Sequence, residues 1–268
     1  MHRVAVVGHP AAHSLTPALY SAAFAELGLD WQCDAIDVPE GGLPDFVAGL
    51  GPEWAGLAVT MPHKPAAAIL GRPDALVKRL GVANTLVFAD AGPLAYNTDV
   101  AGFVQALQYR RLDDMADAVV LGAGATARAA LMALDNLGVG TVTAQVRDVS
   151  RAGQWLGLAA ELGVVAAVEP LGTAHDTDLV ISTLPGLAAG DWCDGAVAMA
   201  QAVFDASYNP WPTPLMVAAV AGGRPVVTGL DLLAGQAIFQ LDLIAGDSVD
   251  FETLYRAGKQ ELARRWHD

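Results

Sequence analysis

Lys64 and Asp99 are the side chains of this 268-residue chain best placed to do proton chemistry on a small molecule. Taken singly, each would be an ordinary surface charge. What marks them out is position. Lys64 follows the apolar run Gly56 to Thr60 and the segment Met61-Pro62-His63, so it lies at a strand end in a loop entering a helix. Asp99 follows Tyr96-Asn97-Thr98, where a helix from Val100 to Tyr109 opens. In α/β folds the strand ends are where polar groups collect. A lysine and a carboxylate that converge there can pass a proton to or from a hydroxyl, the pairing holding charge and geometry while burial lowers the lysine pKa. Asn84 stands in the otherwise apolar run Ala83 to Phe88, where an amide is costly unless it has partners, and it reads as an amide with a purpose. His9, His13 and His63 lack metal-ligand spacing, and His63 reads as a neighbour of the site.

A second group of residues points to an anionic ligand. Gly122-Ala123-Gly124-Ala125-Thr126-Ala127 follows the buried-strand run Ala118 to Leu121 and opens a helix reaching about Leu137. In such a G-x-G-x-x-A segment the first glycine permits a tight turn and the second lets backbone approach a pyrophosphate. The small sixth residue lets the helix pack closely, its N-terminus facing the anion. A dinucleotide is the natural ligand, and its nicotinamide would exchange a hydride while the Lys64–Asp99 pair moves the proton. The next strand, Thr141 to Val146, ends at Arg147-Asp148-Val149-Ser150-Arg151. Arg147 and Arg151 suit the 2′-phosphate of NADP, whereas Asp148 suits the free 2′-OH of NAD, pairs with the arginines, or serves a helix start. All of these readings stay open.

The elements that must position these groups alternate. Strand candidates at Arg3 to Val7, Gln32 to Val38 and Gly56 to Thr60 are separated by helix candidates at Pro17 to Gly28 and Leu43 to Leu50. Ser14 and Thr16 precede the first helix, where one hydroxyl should cap free backbone N–H groups. Ala83 to Phe88 and Pro93 to Ala95 read as a hairpin. Later strands fall at Leu179 to Ser182, Ala202 to Asp205 and Pro225 to Thr228, and helices at Gln236 to Ile244 and Phe251 to Trp266. The class is α/β, with parallel sheets and crossover helices. The boundary falls near Asp99, giving a first domain of residues 1–99, to which residues 233–268 return, and a second of 100–232.

Composition agrees. Hydrophobic residues make up 53% of the chain and charged residues 16%, so it can bury a core unaided. Fifteen Lys and Arg against 29 Asp and Glu leave a net charge of −14, which argues against nucleic acid as a partner. The proposed ligands are themselves anions, so Lys64, Arg147, Arg151 and the helix after Gly124 must hold them locally against the global charge. Two isolated cysteines, Cys33 and Cys193, fit a reducing cytoplasm better than a disulfide framework. The long uncharged stretches are broken by Pro, His, Ser, Asn and Gly, so no membrane span is expected. The first residues lack the basic region and cleavage site of an export signal.

Read together, these motifs resemble the shikimate dehydrogenase family along nearly the whole chain. Ser14-Leu15-Thr16-Pro17 resembles the family's S-x-S-P, Val59-Thr60-Met61-Pro62-His63-Lys64 its V-T-x-P-x-K, Asn84-Thr85-Leu86 its N-T-L, and Asn97-Thr98-Asp99 its N-T-D. The likeness continues through Gly122-Ala123-Gly124, Asp205-Ala206-Ser207-Tyr208-Asn209-Pro210, Thr213-Pro214-Leu215, Gly229-Leu230 and Gln236-Ala237. The resemblance implies an N-terminal substrate domain and a Rossmann-like NAD(P) domain separated by a cleft, and NADPH-linked reduction of 3-dehydroshikimate to shikimate on the route to chorismate and aromatic amino acids. It implies Lys64 and Asp99 as the catalytic pair, with Ser14 and Thr16 on the substrate carboxylate. Thr60, Asn84, Asp99 and Gln236 fall on the ring hydroxyls, and Tyr208 closes the pocket. Cofactor contacts fall on Gly122, Ala123, Gly124, Ala125, Thr126, Arg147, Asp148, Arg151 and Gly229, with no metal. The expected partners are small molecules, and the expected assembly is a monomer or homodimer.

The sequence departs from the family pattern at four places. Thr16 stands where most members have Ser, as in some quinate-using relatives. The N-R-T-x-x-R clamp reads Val146-Arg147-Asp148-Val149-Ser150-Arg151. Ala58 replaces an Asn, and Asp231-Leu232 replaces a Gly-Met pair. An NAD-linked quinate/shikimate dehydrogenase of quinate catabolism is therefore the alternative reading.

Overall fold

The computed structural model describes residues 2–267. Its contacts divide the chain into two compact units, Met1–Thr98 with Leu233–Asp268, and Asp99–Leu232. Asp99, placed at the end of the first domain from sequence, here opens the second unit.

The first unit runs β1 (His2–Gly8), α1 (Thr16–Leu27), β2 (Trp31–Asp37), α2 (Leu43–Ala48), β3 (Trp54–Val59), α3 (Lys64–Leu70), β4 (Arg72–Pro73), α4 (Ala75–Leu80), β5 (Thr85–Val87) and β6 (Leu94–Tyr96). Its sheet has the order β2-β1-β3-β5-β6-β4. The hairpin expected from Ala83 to Ala95 is present and makes this sheet mixed. β1 pairs parallel with β2 and β3, but β5 runs antiparallel to both β3 and β6, because β5 and β6 form the short hairpin. One helical crossover is thus replaced by a turn. Ala5, Val7, Leu57, Val59 and Leu86 are fully or almost fully buried in the core on one side of this sheet.

The second unit runs α5 (Asp99–Arg110), β7 (Asp117–Leu121), α6 (Ala125–Asn136), β8 (Thr141–Val146), a 3₁₀ turn (Val149–Ala152), α7 (Gly153–Leu162), β9 (Val165–Pro170), β10 (Thr177–Ser182), a second 3₁₀ segment (Gly186–Trp192), α8 (Cys193–Met199), β11 (Ala200–Asp205), α9 (Pro214–Ala221) and β12 (Val226–Thr228). All its strand pairs are parallel, in the order β12-β11-β10-β7-β8-β9. That is the doubly wound order 3-2-1-4-5-6 read from the other edge, with the switch point between β7 and β10. Near-continuous apolar strands such as Ala118–Leu121 follow from burial on both faces.

α10 (Gly229–Ala245) and α11 (Phe251–His267) close the chain. The helix expected from Gln236 begins seven residues earlier, and a capping box explains why. Thr228 Oγ1 accepts the Asp231 N–H at 3.3 Å while the Asp231 carboxylate accepts the Thr228 N–H at 2.8 Å and its hydroxyl at 2.6 Å. Arg110 adds contacts of 2.8 and 2.7 Å to the other oxygen of the fully buried Asp231. The Asp231 departure therefore serves the start of α10. α11 returns to the first unit, packing along α1 and joining it through Thr253 to Glu26 at 2.9 Å. Among the described residues no helix is long and apolar enough to cross a membrane.

Candidate active site

In the first unit the strand register decides which loops meet. Val7 is level with Val59, Ala58 with Thr85, and Thr85 with Tyr96. The carboxyl ends of β1, β3 and β6 and the amino end of β5 therefore share one sheet edge. The loops leaving that edge carry Ser14, Thr60, Lys64, Asn84 and Asn97-Thr98.

Lys64 is the first residue of α3 and is half-buried. Its carbonyl accepts the Ala83 N–H at 2.9 Å, which fixes it beside the amino end of β5. Thr60, also half-buried, is held by its N–H to Val7 O at 2.9 Å. A side chain on Gly8 would overlap the Thr60 methyl, so this close approach of two strand ends requires glycine. His63 is buried, with Nε2 donating to Val38 O at 2.7 Å; it braces the loop. His9 instead pairs with Asp37 at 2.8 Å, and that pairing with the Ala11 N–H lowers the Asp37 pKa.

Asn84 is the hub of this edge. Its Oδ1 accepts the Thr98 N–H at 2.8 Å and the Thr85 hydroxyl at 2.9 Å, while Nδ2 reaches Thr98 Oγ1 at 3.0 Å and Gln236 Oε1 at 3.3 Å. The cost of burying the amide is met. The network extends to Gln240, which sequence reading missed. One turn beyond Gln236 on α10, it donates to Asn84 O and Thr85 Oγ1 at 3.1 Å each and accepts the Tyr20 hydroxyl at 2.9 Å. An i, i+4 pair of glutamines on an otherwise apolar helix was the available signal.

Ser14 and Thr16 are both buried, their hydroxyl oxygens 3.2 Å apart. The expected cap is met in altered form. Thr16 lies inside α1, the N-cap Leu15 has no side-chain cap, and Ser14 Oγ accepts the Thr16 N–H at 3.2 Å.

In the second unit Asp99 is the first residue of α5, buried to 3% exposure. Lys64 and Asp99 thus each open a helix, one in each unit. Gly122 has φ +111, and a Cβ there would meet Thr183 Oγ1 at 2.5 Å. Gly124 is the N-cap of α6 with no side-chain cap, and no atom lies near the place a Cβ would take. The free N–H groups of α6 therefore face open space. A cleft of about 700 Å³ lies there, lined by Gly122 to Thr126 on one side and Arg147, Asp148 and Arg151 on the other. Its chemistry fits a dinucleotide: an unblocked helix N-terminus for a pyrophosphate and guanidinium groups for a further phosphate. Arg128 also lines it, bonded to Gln154 at 3.0 Å, with burial lowering its pKa; its place on the first turn of α6 was the missed signal.

Asp148 serves the start of a helical turn. Its Oδ1 accepts the Ser150 N–H at 3.0 Å and hydroxyl at 2.6 Å, capping the 3₁₀ turn at Val149–Ala152. These bonds lower its pKa, the Ser150 hydroxyl first. The helix expected directly after Arg147 is accordingly preceded by this turn, and α7 starts only at Gly153.

Tyr208 and Gly229 belong to the same neighbourhood of the second unit. A Cβ on the buried Gly229 would sit 2.6 Å from the Ser207 carbonyl. The Tyr208 loop is held by Asp205, whose carboxylate accepts the Thr213 hydroxyl at 2.6 Å and the Ser207 N–H at 3.1 Å. Burial pushes the Asp205 pKa up to about 6. The folded state then binds this proton more tightly than the unfolded chain, so the contribution of Asp205 to stability falls as pH rises from about 4 through about 6. The loss is on the order of 3 kcal/mol across that window. Asp205→Asn should remove it, which denaturant unfolding of both proteins at pH 4, 5, 6 and 7 would check; parallel pH profiles would contradict it.

Both cysteines are free and buried, and burial pushes the Cys33 thiol up to about 12, so neither is poised as a nucleophile. Among the described residues no cluster of three or more His, Cys, Asp or Glu is placed to hold a metal ion.

A family profile described as the shikimate dehydrogenase substrate binding domain matches residues 6–86. The shikimate dehydrogenase (NADP(+)) of Methanocella arvoryzae is 34% identical over 96% of this chain and 98% of its own. The chain belongs to the shikimate dehydrogenase family. Among solved members of the family, the Mycobacterium tuberculosis enzyme superposes with a TM-score of 0.89 at 35% identity, covering 97% of this chain and 100% of its own. The Thermus thermophilus enzyme, solved in complex with NADP(H) and shikimate, superposes with a TM-score of 0.84 at 31% identity, over 97% and 99%. The family's V-T-x-P-x-K segment is thus the loop from Thr60 to Lys64 at the end of β3, and its N-T-L segment surrounds the Asn84 hub.

Proposed function

We infer that this chain is an NADP-linked shikimate dehydrogenase that reversibly reduces 3-dehydroshikimate to shikimate, in the route to chorismate and the aromatic amino acids. The observation that carries this reading is the single sheet edge of the first unit, which gathers the Ser14–Thr16 hydroxyl pair, Thr60, Lys64 and the Asn84–Gln236 network. Residues 1–98 with 233–268 form the substrate domain, and residues 99–232 the NAD(P) domain.

The Ser14 and Thr16 hydroxyls receive the ring carboxylate. Thr60, Asn84, Asp99 and Gln236 take the ring hydroxyls, and Tyr208 covers the pocket. Gly122 to Thr126, Arg147, Arg151 and Gly229 hold NADP, whose nicotinamide, when bound, supplies the hydride. Lys64 delivers a proton to the oxygen developing at C3, and Asp99 is the carboxylate of the catalytic pair. Asp148 shapes the Arg147–Arg151 turn through Ser150, which supports NADP over NAD. The enzyme works on small molecules, in the cytoplasm, as a monomer or homodimer.

Steady-state kinetics with shikimate and quinate, each with NADP and NAD, test the assignment. The expected result is highest kcat/KM for shikimate with NADP. Thr16 and Asp148 are the departures that favour the quinate reading. Efficient quinate oxidation with NAD and negligible NADP turnover would replace this reading with that one.

A further inference from the structure

The loop carrying Ser14 is held from outside by the C-terminal helix. Arg265 on α11 donates through Nη1 to His13 O at 2.7 Å and through Nη2 to Ser14 O at 3.0 Å. Its Nε donates to Glu261 Oε1 at 2.7 Å, one turn back on the same helix. Glu261 also takes Arg264 at 2.9 and 2.8 Å, and these guanidinium groups hold its carboxyl at about 2. It stays ionised at any working pH. The planar guanidinium is thereby aimed, with one edge committed to Glu261 and the far nitrogens to two consecutive carbonyls. Such a fork fits two fixed acceptors in a way a single ammonium does not.

The geometry points to Arg265 as a positioning residue for the substrate carboxylate. Resting on the assignment of Ser14 and Thr16 to that carboxylate, we propose that the Arg265 fork fixes the peptide from which the Ser14 hydroxyl projects. The residue that sets the carboxylate pocket then lies 251 positions away in sequence. Ser14 Oγ accepts the Thr16 N–H and donates to Thr16 Oγ1, so how this hydroxyl pair is presented to a carboxylate depends on how the Ser14 peptide is oriented. With Arg265 removed, both carbonyls return to water and the loop gains freedom that substrate must then remove.

The test uses Arg265→Ala, Arg265→Lys, Glu261→Gln, Ser14→Ala and the Arg265→Ala/Ser14→Ala double variant. Shikimate affinity is measured by calorimetry and by KM, alongside KM for NADP and kcat. Arg265→Ala should weaken shikimate binding about 5- to 20-fold, with KM for NADP and kcat within about two-fold. Arg265→Lys should recover only part of the loss, and Glu261→Gln should show a smaller effect in the same direction. If Arg265 acts through Ser14, the double variant binds shikimate no more weakly than Ser14→Ala alone. Additive losses, or an equal fall in NADP affinity, would make Arg265 merely structural and overturn the proposal while Ser14 keeps its role. Unchanged shikimate affinity in Ser14→Ala would instead overturn the carboxylate assignment itself.

Discussion

Replacing Lys64 by alanine is expected to lower kcat by about 10²- to 10⁴-fold while KM for shikimate stays within a few-fold. As proton donor the lysine would release its proton only as the C3 oxygen gains negative charge, so the interaction would be stronger in the transition state than in the ground state, and its loss would appear in kcat. Lys64 is anchored through its backbone, by the bond from Ala83 to its carbonyl. The substitution therefore removes the ammonium while leaving the loop in place. Lys64→Arg should not rescue the rate, because a guanidinium does not give up its proton at working pH. Full kinetics in both directions check this. A large rise in KM with normal kcat would make Lys64 a binding residue.

The second large effect concerns cofactor choice. Arg147→Ala combined with Arg151→Ala should reduce the preference for NADP over NAD by roughly 10²- to 10⁴-fold, since each charge-assisted contact contributes about 1.5–3 kcal/mol. Both arginines are exposed on the rim of the cleft, and Asp148 between them is turned onto Ser150. Activity with NAD should change little, because the open N-terminus of α6, which would hold the pyrophosphate, is left intact. Comparison of kcat/KM for the two cofactors in each variant gives the answer. An equal loss with both would place the arginines elsewhere on the dinucleotide.

The sequence carried the second unit's sheet well. Ala118 to Leu121 is apolar because a central parallel strand is buried on both faces, and Thr141 to Val146 is rich in β-branched residues; both patterns are local. β9 was not legible: Val165–Pro170 is an edge strand with no fully buried residue, paired with β8. The start of α10 was hidden because the residues that fix it, Thr228 and Asp231, read as part of a strand end and a family departure. At the site, residue types were legible and partners were not. Asn84 stood out as a misplaced amide, yet its bonds to Thr98 and Gln236 span 14 and 152 residues. The 252-residue reach of Arg265 to His13 lies outside any local pattern for the same reason.

The turn that Asp148 caps has a consequence in entropy. Residues 147–151 are fixed when the chain folds, by bonds from Ser150 that no cofactor atom need make. The freedom those residues would otherwise surrender on meeting a ligand, about 1–2 kcal/mol of backbone entropy per residue, is already gone. A carboxylate whose charge opposes a phosphate can thus still favour its capture, by leaving two guanidinium groups on a backbone that is already ordered.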